Sequence, residues 1–205
     1  AVAKVALDTS ANGTTSQLID SLVIRMADRN SIGVPLTGSA DKKEGQIEGG
    51  YVHDVEAGLH RWVAILDFKS MYPSIMIGKN ICYTTRIDEG STDQPDEAEQ
   101  VHESPTGARF RNDSGRRGMV PTLLADLMSQ RDVHKAGMRE AKDDAIRSYH
   151  DQMQYAVKIL MNSFYGVFAS GFYRFTHRQL GESITAWARK NIKTIIHKLG
   201  DEGQH

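Results

Sequence analysis

Apolar and polar positions fall into a few stretches of regular spacing separated by irregular polar segments. In residues 18–28 the apolar residues are Leu18, Ile19, Leu22, Val23 and Met26, the spacing of one helix face. The polar stretch 30–45 that follows reads as a loop. Tyr51-Val52 and then Trp62-Val63-Ala64-Ile65-Leu66 predict two strands joined by a turn around Glu56-Ala57-Gly58. The second is apolar throughout, the pattern of a strand buried on both faces, and it leaves Asp67 at a strand end. Pro73 suits the first turn of a helix over residues 74–78, since its missing N–H and fixed φ cost nothing there.

Residues 88–117 are polar, rich in Gly, Pro, Ser and Asp, and keep no period, so they read as a long surface insertion. An amphipathic helix is predicted from Pro121 to about Arg147 and a second over 152–168, with only a few residues to reverse direction between them, which makes an antiparallel helical hairpin. A last helix, about 180–199, has Ile184, Trp187, Ile192, Ile195, Ile196 and Leu199 as its apolar set, with Gly200 where a C-cap glycine belongs. No internal repeat interrupts this order.

With 205 residues, 40% hydrophobic and 25% charged, the composition is that of one large domain or two small ones and excludes a disordered tail. The single cysteine, Cys82, has no partner for an internal disulfide or a thiolate zinc cluster, so a reducing, cytoplasmic setting is expected. The first residues carry no secretory pattern, and no run approaches the roughly 20 apolar residues of a membrane span. A start without Met and an end at Gln204-His205 suggest part of a longer chain.

Net charge is −1, yet it is distributed unevenly. Residues 88–103 hold seven acids and no Lys or Arg, whereas residues 158–198 hold seven Lys and Arg against the single acid Glu182. Such a basic segment suits a phosphate backbone, and it equally suits a solvated helix face.

Three constellations carry chemistry. In Asp67-Phe68-Lys69-Ser70-Met71-Tyr72-Pro73-Ser74 a carboxylate precedes a tight turn and a helix start. A hard divalent cation such as Mg²⁺ wants oxygen ligands, one of which a carboxylate on a rigid element supplies. The turn amides and the Ser70 hydroxyl can meet triphosphate oxygens. Taken alone, Asp67 reads more readily as a helix N-cap than as a metal ligand. Arg131 and Lys135 stand at i and i+4 on one helix face, where two cations repel unless an anion lies between them. Lys158, Asn162 and Tyr165 fall at i, i+4 and i+7, a stripe of cation, amide and aromatic ring. If the two helices are antiparallel neighbours, the cations can converge on a polyphosphate while Tyr165 faces a base.

These segments resemble family B DNA polymerases. Residues 67–74 look like motif A, D-x-x-S-L-Y-P-S, with Met71 at the Leu position, and residues 158–166 match motif B, K-x-x-x-N-S-x-Y-G, at every fixed position. Gly118-Met119-Val120-Pro121 leading to Arg131 and Lys135 resembles the first fingers helix. The resemblance spans about 18–200, and residues 159–185 are most similar to archaeal members and bacterial DNA polymerase II. It implies that Asp67 binds both catalytic Mg²⁺ ions and that the Phe68 carbonyl helps ligate one of them. It implies that Ser70 and Met71 touch the triphosphate, that Tyr72 underlies the sugar and excludes a ribose 2′-OH, and that Arg131, Lys135, Lys158 and Asn162 hold the phosphates. Tyr165 then packs near the nascent base pair, with Gly166 beside the DNA.

Gly49-Gly50 resembles the Y-x-G-G element that helps partition template between polymerising and editing sites, although Ile47 stands at the Tyr position. Asp54-Val55-Glu56 mimics an exonuclease D-x-E but lies where the family has none, and reads as a solvated turn. Motif C, D-T-D, is expected just after Gly200 and is absent. The implied fold is α+β, a partial palm of antiparallel sheet with helices, plus a two-helix fingers hairpin, truncated before motif C. Its parts are a connector (1–46), palm with motif A (47–118), fingers with motif B (119–170) and incomplete palm (171–205). The implied partners are primer-template DNA, deoxynucleoside triphosphates and the rest of the polymerase: motif C, thumb and exonuclease. Without the motif C carboxylate, no activity is expected from the chain alone. The alternative from another class is a catalytically silent nucleic-acid-binding remnant. A P-loop hydrolase is excluded, since Gly78-Lys79 is followed by Asn80 and lacks the leading Gly.

Overall fold

The computed structural model describes residues 3–36, 47–88, 90, 94–95, 100–112, 114, 116–170 and 173–202. Its elements are α1 (Leu7–Asn12), α2 (Thr15–Arg29), α3 (Met71–Gly78), β1 (Arg86–Ile87), β2 (Val101–Glu103), β3 (Arg109–Arg111), α4 (Met119–Glu140), α5 (Asp144–Phe168) and α6 (Arg178–Glu202). Helices and a small antiparallel sheet together make the expected α+β class. No described helix is long and apolar enough to cross a membrane.

The expected helix over 18–28 is α2, started earlier by a capping box. The Gln17 N–H donates to Thr14 Oγ1 (3.4 Å) and the Thr14 N–H donates to Gln17 Oε1 (2.9 Å). It buries Ile19, Leu22, Val23 and Ala27 against α5. The core continues through Met76 of α3, Val120, Leu124 and Leu127 of α4, Val157, Leu160, Met161 and Phe164 of α5, and Ile184 and Trp187 of α6.

Helices α4 and α5 form the predicted hairpin, but the reversal comes at residues 141–143 rather than near 147–152. Asp143 decides it: its Oδ1 accepts the Ala145 and Ile146 N–H groups at 2.7 and 3.1 Å, a cap that starts α5 about two turns before the predicted point. Only the ends of the hairpin near the core are buried, α4 at residues 119–127 and α5 at residues 157–168. The rest projects. Helix α6 runs through Gly200, which is therefore not its C-cap. Its apolar set divides, with Ile184 and Trp187 buried while Ile195, Ile196 and Leu199 are exposed.

Two further expectations are overturned. Residues 51–52 and 62–66 form no strand, and the segment read as buried on both faces is exposed, Trp62 at 99% and Ile65 at 89%. A strand needs a ladder partner, and no described residues pair with this segment, so its backbone groups and apolar side chains both face water. The sheet forms instead inside the stretch read as an irregular insertion. Its order is β1-β3-β2, antiparallel, with Phe110 of β3 opposite Arg86 and His102. Phe110 is fully buried and its ring lies 5.9 Å from that of Trp187, which anchors the sheet to α6.

Asn80 fixes where α4 begins. Its side-chain amide donates to the carbonyls of Arg111 (2.8 Å) and Arg116 (3.0 Å), and its Oδ1 accepts the Gly118 N–H (2.8 Å). This joins the end of α3 to the start of α4. A Cβ on Gly118 would meet Cys82 Cβ at 2.7 Å and Thr85 Cγ2 at 2.9 Å, so only glycine lets the two segments approach this closely.

Candidate functional site

The site is built where α3, α4 and α5 meet. Ser70, just before α3, holds a left-handed backbone (φ 50°, ψ 56°) and makes no side-chain cap. Ser74 fastens the turn instead, its Oγ donating to the Lys69 carbonyl at 3.0 Å and its N–H to the Ser70 carbonyl at 2.9 Å. A non-glycine residue in this conformation is strained and needs surrounding structure to hold it. The Ser70 hydroxyl and the first amides of α3 are left uncapped by side chains, an arrangement suited to an anion.

Asp67 is not the cap of α3, because Ser70 occupies that position. Asp67 and Phe68 lie exposed in irregular chain, and among the described residues the Asp67 carboxylate makes no hydrogen bond or ion pair. No group of three or more His, Cys, Asp or Glu side chains able to hold a metal occurs among the described residues. An unpaired carboxylate beside a peptide carbonyl nevertheless fits Mg²⁺, which takes one or two carboxylates and fills its octahedron with water and substrate phosphate.

Lys69 ties this turn to the hairpin, its Nζ lying 3.1 and 3.0 Å from the two carboxylate oxygens of Asp132. Both side chains are half-exposed or more, so the pair locates the turn rather than stabilising the fold. One residue before Asp132, Arg131 donates from Nε to Gln154 Oε1 at 3.4 Å. Lys158 and Asn162 follow Gln154 at successive turns of the same α5 face, both exposed. Arg131 holds the Lys135 ammonium below the ordinary lysine range, with partial burial and Lys69 adding to the effect and Asp132 opposing it.

Positive charge is therefore concentrated here without enough acid to balance it. Because the folded-state pKa is depressed, the repulsion weakens as pH rises through it, and a bound polyanion would relieve it at neutral pH. Arg131→Gln removes the largest cause, so the Lys135 titration followed by NMR at Nζ is expected to move up toward the ordinary value; an unchanged titration would contradict this.

Tyr72 and Tyr165 join the first and third constellations, their rings 4.5 Å apart at 33°. Burial, and then Tyr72, raise the Tyr165 hydroxyl above its ordinary pKa, while Arg189 acts in the opposite sense. Met71 begins α3 and is half-buried. The Gly49-Gly50 segment passes beside Tyr72: a Cβ on Gly50 would come to 3.4 Å from its hydroxyl, an ordinary contact, and one on Gly49 or Gly166 would meet nothing. Close approach therefore requires glycine at none of these three positions. Asp54 and Glu56 are exposed.

Arg189 is the site-supporting residue that sequence reasoning passed over, having counted it only as one more cation. Its Nη1 donates to the carbonyls of Glu48 (3.0 Å) and Gly49 (2.7 Å), and its Nη2 pairs with the Glu48 carboxylate at 2.9 Å. It thereby clamps the glycine turn onto α6. Only its charge was visible beforehand, because its partners lie some 140 residues away in the chain.

Comparison with known proteins agrees with this arrangement. A model of DNA polymerase family B matches residues 5–203. The chain is 35% identical over 192 residues to a DNA polymerase of Desulfurococcus sp. (strain Tok) and 34% identical over 197 residues to DNA polymerase 1 of Pyrococcus abyssi, covering 92% and 93% of this chain and 24% of each relative. It is 32% identical over 175 residues to a DNA polymerase delta catalytic subunit of Glycine max, covering 84% of this chain and 16% of that one. The solved structure of the family B DNA polymerase from the hyperthermophilic archaeon Pyrobaculum calidifontis superposes with a TM-score of 0.78 at 26% identity, over 98% of this chain and 26% of that one. The chain thus spans about a quarter or less of the length of these relatives. Motif residues, fold and matches over nearly the whole sequence agree, and the chain belongs to DNA polymerase family B.

Proposed function

We propose that this chain carries the nucleotide-binding side of the catalytic centre of a template-directed DNA polymerase, which transfers a deoxynucleotide from its triphosphate to a primer 3′-OH. The observation that supports it most is the meeting at α3 of the uncapped helix start, the Tyr72–Tyr165 pair and, through Lys69 and Asp132, the cationic face of α4 with Arg131 and Lys135. Residues 47–118 and 171–205 serve as palm, 119–170 as fingers, and 1–46 as connector.

In this reading Asp67 and the Phe68 carbonyl hold Mg²⁺, which when bound neutralises charge developing on the transferring phosphoryl group. Ser70, Met71 and the first amides of α3 receive the triphosphate. Arg131, Lys135, Lys158 and Asn162 grip it from the hairpin, whose half furthest from the core has no buried residues and can swing. Phosphoryl transfer asks mainly for positioning and charge stabilisation, which these groups supply. Tyr72 lies under the sugar and Tyr165 beside the base. Primer-template DNA passes the Gly49-Gly50 turn and Gly166. A two-metal site would need carboxylates from two sides, and Asp67 would supply one of them. The other side, with thumb and exonuclease, is assigned to the rest of the polymerase, in the same or another chain. With its one thiol, Cys82, buried and reduced, the protein works in the cytoplasm with the nucleic acid.

The sugar-facing role is tested by single-nucleotide incorporation with the complete reading frame. Tyr72→Val removes the ring that would meet a 2′-OH, and its preference for deoxy- over ribonucleotides is expected to fall by about tenfold or more, a steric contact being worth about 1–3 kcal/mol. Unchanged discrimination would remove Tyr72 from the sugar pocket. Failure of both wild type and variant to incorporate any nucleotide would favour the silent remnant.

A further inference from the structure

One carboxylate already stands among the cations of α4. Asp132 turns both of its oxygens to Lys69 Nζ, at 3.1 and 3.0 Å; it follows Arg131 directly and precedes Lys135 by three residues. These four charges act on one another, since Arg131 and Lys69 push the Lys135 ammonium down while Asp132 pushes it up. Three cations against one acid leave the cluster positive, and the acid makes with Lys69 the contact that a phosphate would make there. The Lys69 backbone is fixed, its carbonyl accepting the Ser74 hydroxyl at 3.0 Å, whereas its side chain is 61% exposed. An ammonium on a flexible four-carbon stem can therefore change partner while the turn stays in place.

An exposed ion pair is held weakly, and a triphosphate brings several negative charges against the single charge of the carboxylate, so exchange favours the triphosphate. We propose that Asp132 is the resident counter-ion of the site: it holds Lys69 while the site is empty, yields it to the triphosphate, and competes for it again when pyrophosphate is to leave. Asp132 is thus a positioning residue that acts through Lys69, and Lys69 is a further phosphate ligand beside Arg131 and Lys135. The proposal rests on the polymerase reading only in naming the anion as a nucleoside triphosphate. An ion pair that merely braced the turn against α4 would differ in sign: breaking it would loosen the site and weaken phosphate binding, whereas removal of a counter-ion strengthens it.

The test is calorimetric titration of inorganic tripolyphosphate and of pyrophosphate into the complete reading frame, without metal, at about 50 mM salt, where screening between exposed charges is weak. Asp132→Asn is expected to bind both anions about three- to fivefold more tightly, the range that an exposed ion pair allows. Asp132→Glu keeps the charge and is expected to stay within about twofold of wild type. Glu140→Gln removes an equal charge about 12 Å further along α4 and is expected to change neither affinity. In the Lys69→Gln background the gain from Asp132→Asn is expected to shrink to less than about twofold. Unchanged or weaker binding by Asp132→Asn, or the same gain with and without Lys69, would overturn the proposal. In steady-state incorporation by Asp132→Asn, KM for the nucleotide and kcat are expected to fall together, as substrate enters and pyrophosphate leaves a tighter site; a raised KM would mark the pair as a brace and overturn the counter-ion. The two readings fail separately. Tighter phosphate binding that needs Lys69, in a complete protein that performs no nucleotidyl transfer, would sink the polymerase reading and leave the counter-ion in place, whereas template-directed incorporation with unchanged phosphate affinities would do the reverse.

Discussion

Asp67→Ala in the complete reading frame is expected to lower the single-turnover rate of nucleotide incorporation by about 10³- to 10⁵-fold, the loss of several kcal/mol of charge stabilisation at about 1.4 kcal/mol per decade. The carboxylate is exposed and unpaired among the described residues, so its removal leaves the fold unstrained and stability should change by no more than about 0.5 kcal/mol. Asp67→Asn keeps the shape and loses the charge, and should fall nearly as far. Quench-flow incorporation and urea melting measured on the same samples separate the two effects. A drop of less than about tenfold would mean that Asp67 is not a ligand of the catalytic metal.

The second large effect is on stability. Asn80→Ala is expected to destabilise the chain by about 2–4 kcal/mol, read as a lower urea midpoint at unchanged slope. Asn80 is 1% exposed, and its side chain answers two backbone carbonyls and the Gly118 N–H. Removing it strands those groups in the interior, where an unsatisfied donor carries its full desolvation penalty. The backbone adds to the loss, since Asn80 has φ of 51°, a conformation that asparagine tolerates better than alanine does. Asn80→Asp keeps the acceptor for Gly118 but sets a carboxylate oxygen against both carbonyls in the interior, and should destabilise at least as much as alanine. Because Asn80 sets where α4 starts, Asn80→Ala should also disturb the Lys69–Asp132 contact, a second reason for expecting slower incorporation in the complete protein.

Helices were legible where amphipathic spacing was sustained, as in α2, although the capping box that starts it three residues earlier was not read, and the hairpin was predictable from two long periodic stretches joined by a short reversal. Its turn was misplaced because the predicted reversal at 147–152 followed the run of periodicity, whereas the Asp143 cap fixes it. The strand misreading has a different origin. An apolar run at 62–66 states a capacity for burial, and whether it is buried depends on partners that sequence spacing does not reveal. The sheet that did form uses strands of two and three residues, too short to show a period of two, and its anchor Phe110 is a lone aromatic in a polar stretch.

The candidate site divides the same way. Asp67, Tyr72, Arg131, Lys135, Lys158, Asn162 and Tyr165 lie in local patterns that could be read directly. The contacts that bring those patterns together, Lys69 to Asp132, Tyr72 to Tyr165 and Arg189 to the glycine turn, join segments 63 to 140 residues apart. Such contacts follow from how the helices pack, and no spacing rule within one segment encodes them.

Template-directed synthesis is the central claim, and its most direct measurement is primer extension by the complete reading frame on four primer-templates that differ only in the first unpaired template base, each supplied with one deoxynucleoside triphosphate at a time. The predicted result is Mg²⁺-dependent addition of the complementary nucleotide on each template, abolished by chelation and by Asp67→Ala. Addition of the same nucleotide whatever the template base, or no addition on any of the four, would contradict the account.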